Sequence, residues 1–417
     1  MHYSASKVKQ DYGMTGILYD AGSVYEGLSK ITDKRKARGK LYRLEMILMI
    51  IVLAKLSGED KPQGITDWGK NHGEEIVKLM HLKKSQMPSV NTYRRILAEV
   101  ACQEEVERMV GTYNQQGEHG EVYALDGKAV HGMRKKDEEG SEYLLSVYDV
   151  KQAKVMSQVE VGRKENEITK APKALASVKI SQKVVTADAL HTQKALSAQI
   201  VSQGGDYIFP VKENQPSLYK SIQQLFAPEH PKAGFGKIQT DFLTVEKVNK
   251  GHGRLEKRIL TTSEMLNPYS TWPGLAQVYR LERQFQWWRS GRCYRTSAEV
   301  EFGITSLSRS KTTPEQLLSF RRCHWGIEIG LHYRRDVTFK EDATRMTVGN
   351  TGKNMASINN LVIALIHQAK FQNTAQARRW FAAHLSQAFA LLTTPFPDLG
   401  ITMNEGEERG VEKREME

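Results

Sequence analysis

The chain has 417 residues, with 60 Lys and Arg against 48 Asp and Glu, for a formal charge of +12. Hydrophobic residues at 40% and charged residues at 26% are ordinary globular values and exclude a disordered or collagen-like chain. The length predicts two or three domains, and the basic balance favours a polyanionic partner without naming one. Cys102, Cys293 and Cys323 are odd in number and widely spaced, so neither a disulfide framework nor a CxxC zinc site is expected. The opening MHYSASKVKQ shows no apolar leader, and the run 46–54 (MILMIIVLA) is far short of the roughly 20 residues of a spanning helix. A soluble protein of a reducing compartment is expected.

In chain order, residues 1–112 read as helical. Leu44, Ile47, Leu48, Ile51, Val52 and Lys55 recur at helical spacing, and Ser57-Gly58 ends the stripe. Pro88-Ser89 opens a second helix with Tyr93, Ile96 and Leu97 on one face, where Arg94 and Arg95 serve either phosphates or solubility. The period changes at residue 121. Segments 121–126 (EVYALD), 143–149 (YLLSVYD) and 153–160 (AKVMSQVE) are strand-like. Then come a short buried-type strand, 183–188 (KVVTAD), a helical stretch over 191–202 and another strand, 207–212 (YIFPVK). This succession predicts a mixed α/β sheet over 113–216. Residues 217–312 alternate, are broken by Gly234, Gly236, Gly251, Gly253 and Gly291, and predict an inserted β-rich subdomain. Thr313-Pro314 starts a helix. The chain then reads as mostly helical over 313–392, with a charged tail over 393–417.

Three carboxylates stand out by position. Asp126 ends the first strand before Gly127, Asp188 ends VVTAD, and Glu328 lies in the helix that follows Pro314. Acids at neighbouring strand ends, joined by one from a packed helix, can hold Mg²⁺, which prefers hard oxygen ligands and suits phosphoryl transfer. Each also has a plain alternative: turn chemistry for Asp126, a helix cap for Asp188 and a surface ion pair for Glu328. On a regular helical wheel Leu317, Arg321, His324, His332 and Arg335 fall close to Glu328, a face suited to metal and phosphate together or simply to solvent.

Several blocks resemble the DDE transposases of the H-repeat-associated insertion-sequence family. They are 123–128 (YALDGK), 164–168 (KENEI), 185–193 (VTADALHTQ), 206–216 (DYIFPVKENQP), 252–258 (HGRLEKR) and 321–345 (RRCHWGIEIGLHYRRDVTFKEDATR). The stretches YRLEMILMIIVLAKLSG and MPSVNTYRRIL resemble the helical domain that precedes the core in that family, so the likeness covers about residues 20–370. It implies an RNase H-like fold with Asp126, Asp188 and Glu328 as the DDE triad, binding Mg²⁺ with Mn²⁺ able to substitute. The 139 residues between Asp188 and Glu328 agree with a β-rich insertion before the third acid. The resemblance further implies cleavage at insertion-sequence ends and transfer of the 3′-hydroxyl to target DNA. Double-stranded DNA is the implied partner, with a homodimer on DNA, no membrane, and a prokaryotic, cytoplasmic, nucleoid-associated setting. A transposase-derived DNA-binding protein without mobility, or a nuclease without strand transfer, stays open beside it.

The chain departs from the family pattern at Ile329, where Asn is usual, at Tyr333, where LHW is usual, and at Arg334-Arg335. These changes spare the acids and bear on substrate contacts. Glu341 and Asp342 are rivals for the third acid, ranked behind Glu328 because of its basic helix face. Lys128, Lys212, Asn214, His252, Arg254, Arg321, His324 and Arg335 are the expected DNA contacts, and residues 1–112 are a candidate DNA-binding domain. Lys212 and Asn214, with Gln215, alternatively form a capped turn before Pro216, and His252 and Arg254 a solubilising hairpin. Trp287 and Trp288, beside Arg289 and Arg292, read either as core or as a base-stacking pair.

Overall fold

The computed structural model describes residues 8–10, 17–83, 85–134, 142–162, 165–227, 240–251, 253–395, 397 and 399. His252, Gly234, Gly236 and the charged tail beyond 399 lie outside them. The main strands are β1 Val122–Val130, β2 Glu142–Asp149, β3 Lys154–Val161, β4 Val184–Ala187 and β5 Asp206–Val211. They are followed by β6 Leu243–Gly251, β7 Arg254–Ser263, β8 Gln277–Arg289 and β9 Arg292–Thr305. Five helices matter below: α1 Leu44–Leu56, α2 Gln103–Asn114, α3 Glu167–Ala176, α4 Pro314–Cys323 and α5 Thr351–Gln368. The chain divides into two compact units, one of residues 1–119, 127–166 and 327–402, the other built on 120–126 and 167–326. Strand β1 passes from the second to the first between Asp126 and Gly127.

In the first unit, α1 is buried along its whole length, as a helix apolar on every side must be. The sequence stripe is therefore an interior helix rather than an amphipathic one. Lys55 ends it inside the protein, 3.1 Å from Asp60, and Arg378 reaches the same carboxylate at 2.8 Å. The β2–β3 hairpin is antiparallel from Tyr143↔Val161 to Asp149↔Lys154. Helix α2 lies against β3, where Gly111 admits the Met156 carbonyl to a place a β-carbon would occupy, and Asn114 donates to Val155 O at 2.9 Å. Helix α5 completes this core, its Asn354 donating to the carbonyls of Leu97 and Ala101. Among the described residues no helix is long and apolar enough to cross a membrane.

In the second unit, β4 pairs parallel with β1 and β5 parallel with β4. Beyond β5 the chain adds β9, β8, β7 and β6, each antiparallel to its neighbour. The predicted β-rich insertion is thus present, and it continues the sheet from β5 instead of folding apart. One core explains this: Val122, Val184 and Ile208 of the early strands share a cluster with Val245, Leu260, Tyr279 and Leu281 of the insertion. Leu317 and Leu318 of α4 cover the same cluster. With β3-β2-β1 in the first unit and β1-β4-β5 in the second, the strands form the mixed α/β, RNase H-like architecture that the resemblance implies.

Candidate active site

Asp126 and Asp188 are brought to the same level by strand register. Leu125 pairs with Ala187 across the parallel strands β1 and β4; Asp126 is the next residue within β1 and Asp188 the first beyond β4. Asp126 is partly buried and Asp188 exposed. The Asp188 backbone is extended (φ −77°, ψ 176°), and its carboxylate caps the short turn Ala189–His191 by accepting from the His191 N–H at 3.4 Å. The cap reading of Asp188 and the site reading therefore coexist. Side chains from beyond β5 pin the same loop. Asn214 donates to Ala189 O at 2.6 Å, Gln215 to Thr192 O at 2.9 Å, and Thr192 to Pro210 O at 2.6 Å.

Glu328 arises from a helix with a firm start. Thr313 and Gln316 form a reciprocal capping box and Pro314 occupies the first turn. Helical backbone continues through His324 and Trp325–Ile327 into two π-helical stretches, Glu328–His332 and Arg334–Thr338. The Glu328 side chain is 55% exposed and lies 3.4 Å from His332 Nδ1.

The wheel places His332 beside Glu328, as found, but the π turns change its reading of Arg335. Hydrogen bonds from i to i+5 slip the helix phase, so Arg335, beyond the first stretch and within the second, rotates away from its 3.6-residue position. Arg335 is fully buried, with its guanidinium on Glu341 (2.6 and 2.9 Å) and near Gln158. Burial would raise the Glu341 carboxyl, but Arg335 outweighs it and holds the group below the usual carboxylate value. Arg321 is also inside the protein, forked onto Glu301 at 2.7 and 2.8 Å. Lys128 is 7% exposed, 2.7 Å from Asp336 and 3.5 Å from Asp342. His324 turns toward Thr186 on β4, and burial together with Arg321 brings its pKa down to about 4. In this arrangement the charges of Lys128, Arg321 and Arg335 are paired within the protein, and burial disfavours a charge on His324. Glu341 is buried on Arg335 and Asp342 pairs with Lys128 at 29% exposure, whereas the Glu328 side chain is the more open at 55%.

Other expected contacts keep their exposure. Lys212 and Asn214 are exposed, and Arg254 lies over the Phe285 ring at 5.8 Å, with Glu256 3.6 Å away. Trp287 is not core: it stacks on Phe285 at 5.8 Å and carries Arg295 over its face at 4.7 Å, while Trp288 is 43% exposed. Arg295 escaped the sequence reading because only the β8–β9 register sets it opposite Trp287.

A transposase DDE domain family model matches residues 117–365, and the family of segments associated with that domain matches residues 25–113. The Escherichia coli K12 "Putative protein YbfL" is 26% identical over 371 residues, covering 87% of this chain and 95% of its own. From the same organism, "H repeat-associated putative transposase YhhI" is 25% identical with the same coverage. "H repeat-associated putative transposase YbfD" is 29% identical over 56% of this chain and 91% of its own. Among solved structures, a piggyBac transposase synaptic complex with hairpin DNA aligns over 93% of this chain and 81% of its own, at 11% identity and a TM-score of 0.41. Asp126 does not end its strand as expected but lies within β1, which runs on to Val130, while Asp188 follows the last residue of β4. With the transposase DDE domain model spanning well over half its length, this chain belongs to the DDE transposases.

Proposed function

We propose that the protein cuts DNA at insertion-sequence ends and joins the freed 3′-hydroxyl to target DNA, with Asp126, Asp188 and Glu328 as its three acids. Membership of the DDE family makes it a metal-dependent DNA-cutting enzyme. The observation that carries the residue assignment is the register Leu125↔Ala187, which levels Asp126 with Asp188. The donor set fits Mg²⁺, or Mn²⁺ in its place, because carboxylate oxygens suit hard octahedral cations. These three residues would hold it, and when bound it lowers the pKa of an attacking water or hydroxyl and stabilises the leaving oxygen.

The chain's own groups supply orientation. The His191 N–H fixes one Asp188 oxygen, and His332 stands beside the Glu328 carboxylate. Exposed Lys212 and the cation of Arg254 suit duplex phosphates, which position DNA without reading its sequence. The helical region 1–112 is a further part of the DNA-binding surface in this reading. Acting on two ends at once calls for a homodimer on DNA, working at the nucleoid in the cytoplasm.

The test is Mg²⁺-dependent cleavage and joining of the DNA ends flanking the gene, wild type against Asp188→Ala. Cleavage plus joining, abolished in the variant, is the expected result. Cleavage without joining would make the protein a nuclease, and end binding with no metal-dependent cut would make it a DNA-binding relic.

A further inference from the structure

A single buried hydroxyl touches all three elements that lead to the acids. Thr186, fully buried on β4, donates to Tyr123 O on β1 at 3.4 Å and lies 3.4 Å from His324 Nδ1. Asp188 is two residues beyond Thr186, Asp126 three beyond Tyr123, and Glu328 four beyond His324, one turn along the helix. A hydroxyl has one proton and two lone pairs. With its proton on the Tyr123 carbonyl, Thr186 meets His324 as an acceptor, so His324 carries its proton on Nδ1. Both contacts are at the long end of hydrogen bonding.

The surroundings hold this hub rigidly. Arg321, one turn before His324, is forked onto Glu301, and Tyr279 Oη also donates to Glu301 at 3.2 Å. On the Asp188 side, His191 is buried with Nε2 3.4 Å from Glu167 Oε2 of α3. The Val122–Leu125 and Val184–Ala187 ladder keeps β1 and β4 from sliding.

We infer that Thr186 and His324 are positioning residues of the reaction: their contact ties the helix that leads into Glu328 to the strands that carry Asp126 and lead to Asp188. The inference rests on the proposed triad. Neither residue would touch metal or DNA. A side chain that orients metal-binding groups from behind typically changes metal affinity or activity by about 10- to 100-fold when removed.

The experiment compares wild type, Thr186→Val, Thr186→Ser, His324→Phe and Asp188→Ala. It measures Mn²⁺ affinity of the DNA-free protein by EPR, kcat and KM for end cleavage, and melting temperature. Thr186→Val is isosteric and removes both contacts. It should weaken Mn²⁺ binding and lower kcat about 10-fold or more, with KM and melting temperature nearly unchanged. His324→Phe should do the same and Thr186→Ser should restore most of the loss. Wild-type Mn²⁺ affinity and kcat in Thr186→Val, alongside lost affinity in Asp188→Ala, would overturn this inference and leave the triad standing. A loss in Thr186→Val that tracks a fallen melting temperature and is not rescued by Ser would overturn it as well. Undiminished Mn²⁺ affinity in Asp188→Ala would overturn the triad and the inference together.

Discussion

Arg335 Nη2 lies 2.6 Å from Glu341 Oε1, and the two side chains are 0% and 7% exposed. Asn359 donates to the other Glu341 oxygen at 2.8 Å, so the pair is closed by a third group from α5. An arginine that a wheel puts on a DNA-binding face is thus an internal strut. Removing one partner of such a pair leaves a buried charge and typically costs about 3–5 kcal/mol. Glu341→Gln should lower the urea midpoint accordingly, and Arg335→Met with Glu341→Leu should recover much of the loss. Arg335→Met alone that keeps full stability but weakens DNA binding would restore the phosphate-contact role.

Lys212 should behave oppositely. It is exposed beyond β5, close in sequence to Asn214 and Gln215, which pin the Asp188 loop. Lys212→Gln is expected to leave the melting temperature unchanged. It should reduce the slope of log K against log salt by about 0.9, the contribution of one phosphate contact on duplex DNA. Arg321→Gln should leave that slope as it is.

Glu107 of α2 gives a pH signature. Burial, with Glu160 nearby, pushes its carboxyl up to about 7, against an ordinary value of 4.5. Gln103 and Gln158 donate to it at 3.1 and 3.2 Å. Between about pH 4.5 and 7 the folded state holds a proton that the unfolded chain has released. Its contribution to stability is therefore full below 4.5 and is lost as pH rises through 7. Relative to wild type, Glu107→Gln should flatten that decline and gain about 1–2 kcal/mol above pH 7, a partly exposed group being discounted. Denaturation midpoints from pH 4.5 to 8 read it directly. Equal pH slopes for the two proteins would refute it.

Gly303 of β9 pairs across the strand with Tyr279, and a β-carbon there would fall within the Tyr279 ring. Gly303→Ala should cost about 1–3 kcal/mol by overpacking. Combining it with Tyr279→Leu, which clears the ring, should cost less than the two single changes summed. Additive losses would contradict the cross-strand contact.

The end of β4 was legible because VVTAD announces a strand edge and an acid in one short run, whereas LDG suggested an edge at Asp126 that the structure does not have, β1 running on to Val130. Glu328 stood out by its place in the helix after Pro314 and by the HWGIE motif, and its exposed side chain contrasts with the buried Glu341. Register, helix phase and distant pairing were not legible. The π turns at Glu328–His332 and Arg334–Thr338 follow from i→i+5 bonding, which leaves no mark on apolar spacing. Lys128 is neutralised by acids more than 200 residues away, so in the sequence it reads as a free cation beside DG. Thr186 reads as one more β-branched strand residue. The insertion's composition marked it as β-rich, but only the pairing Phe302↔Val211 to Thr305↔Ile208 reveals that it extends the sheet.

The most direct measurement is a metal-preference switch at Asp188. Replacing its hard carboxylate by a softer thiolate in Asp188→Cys should abolish end cleavage in Mg²⁺ and restore part of it in Mn²⁺, which accepts softer ligands more readily. Asp188→Ala should stay inactive in both. Cleavage by Asp188→Ala and Asp188→Cys in Mg²⁺ at close to the wild-type rate would show that this carboxylate holds no metal in the reaction.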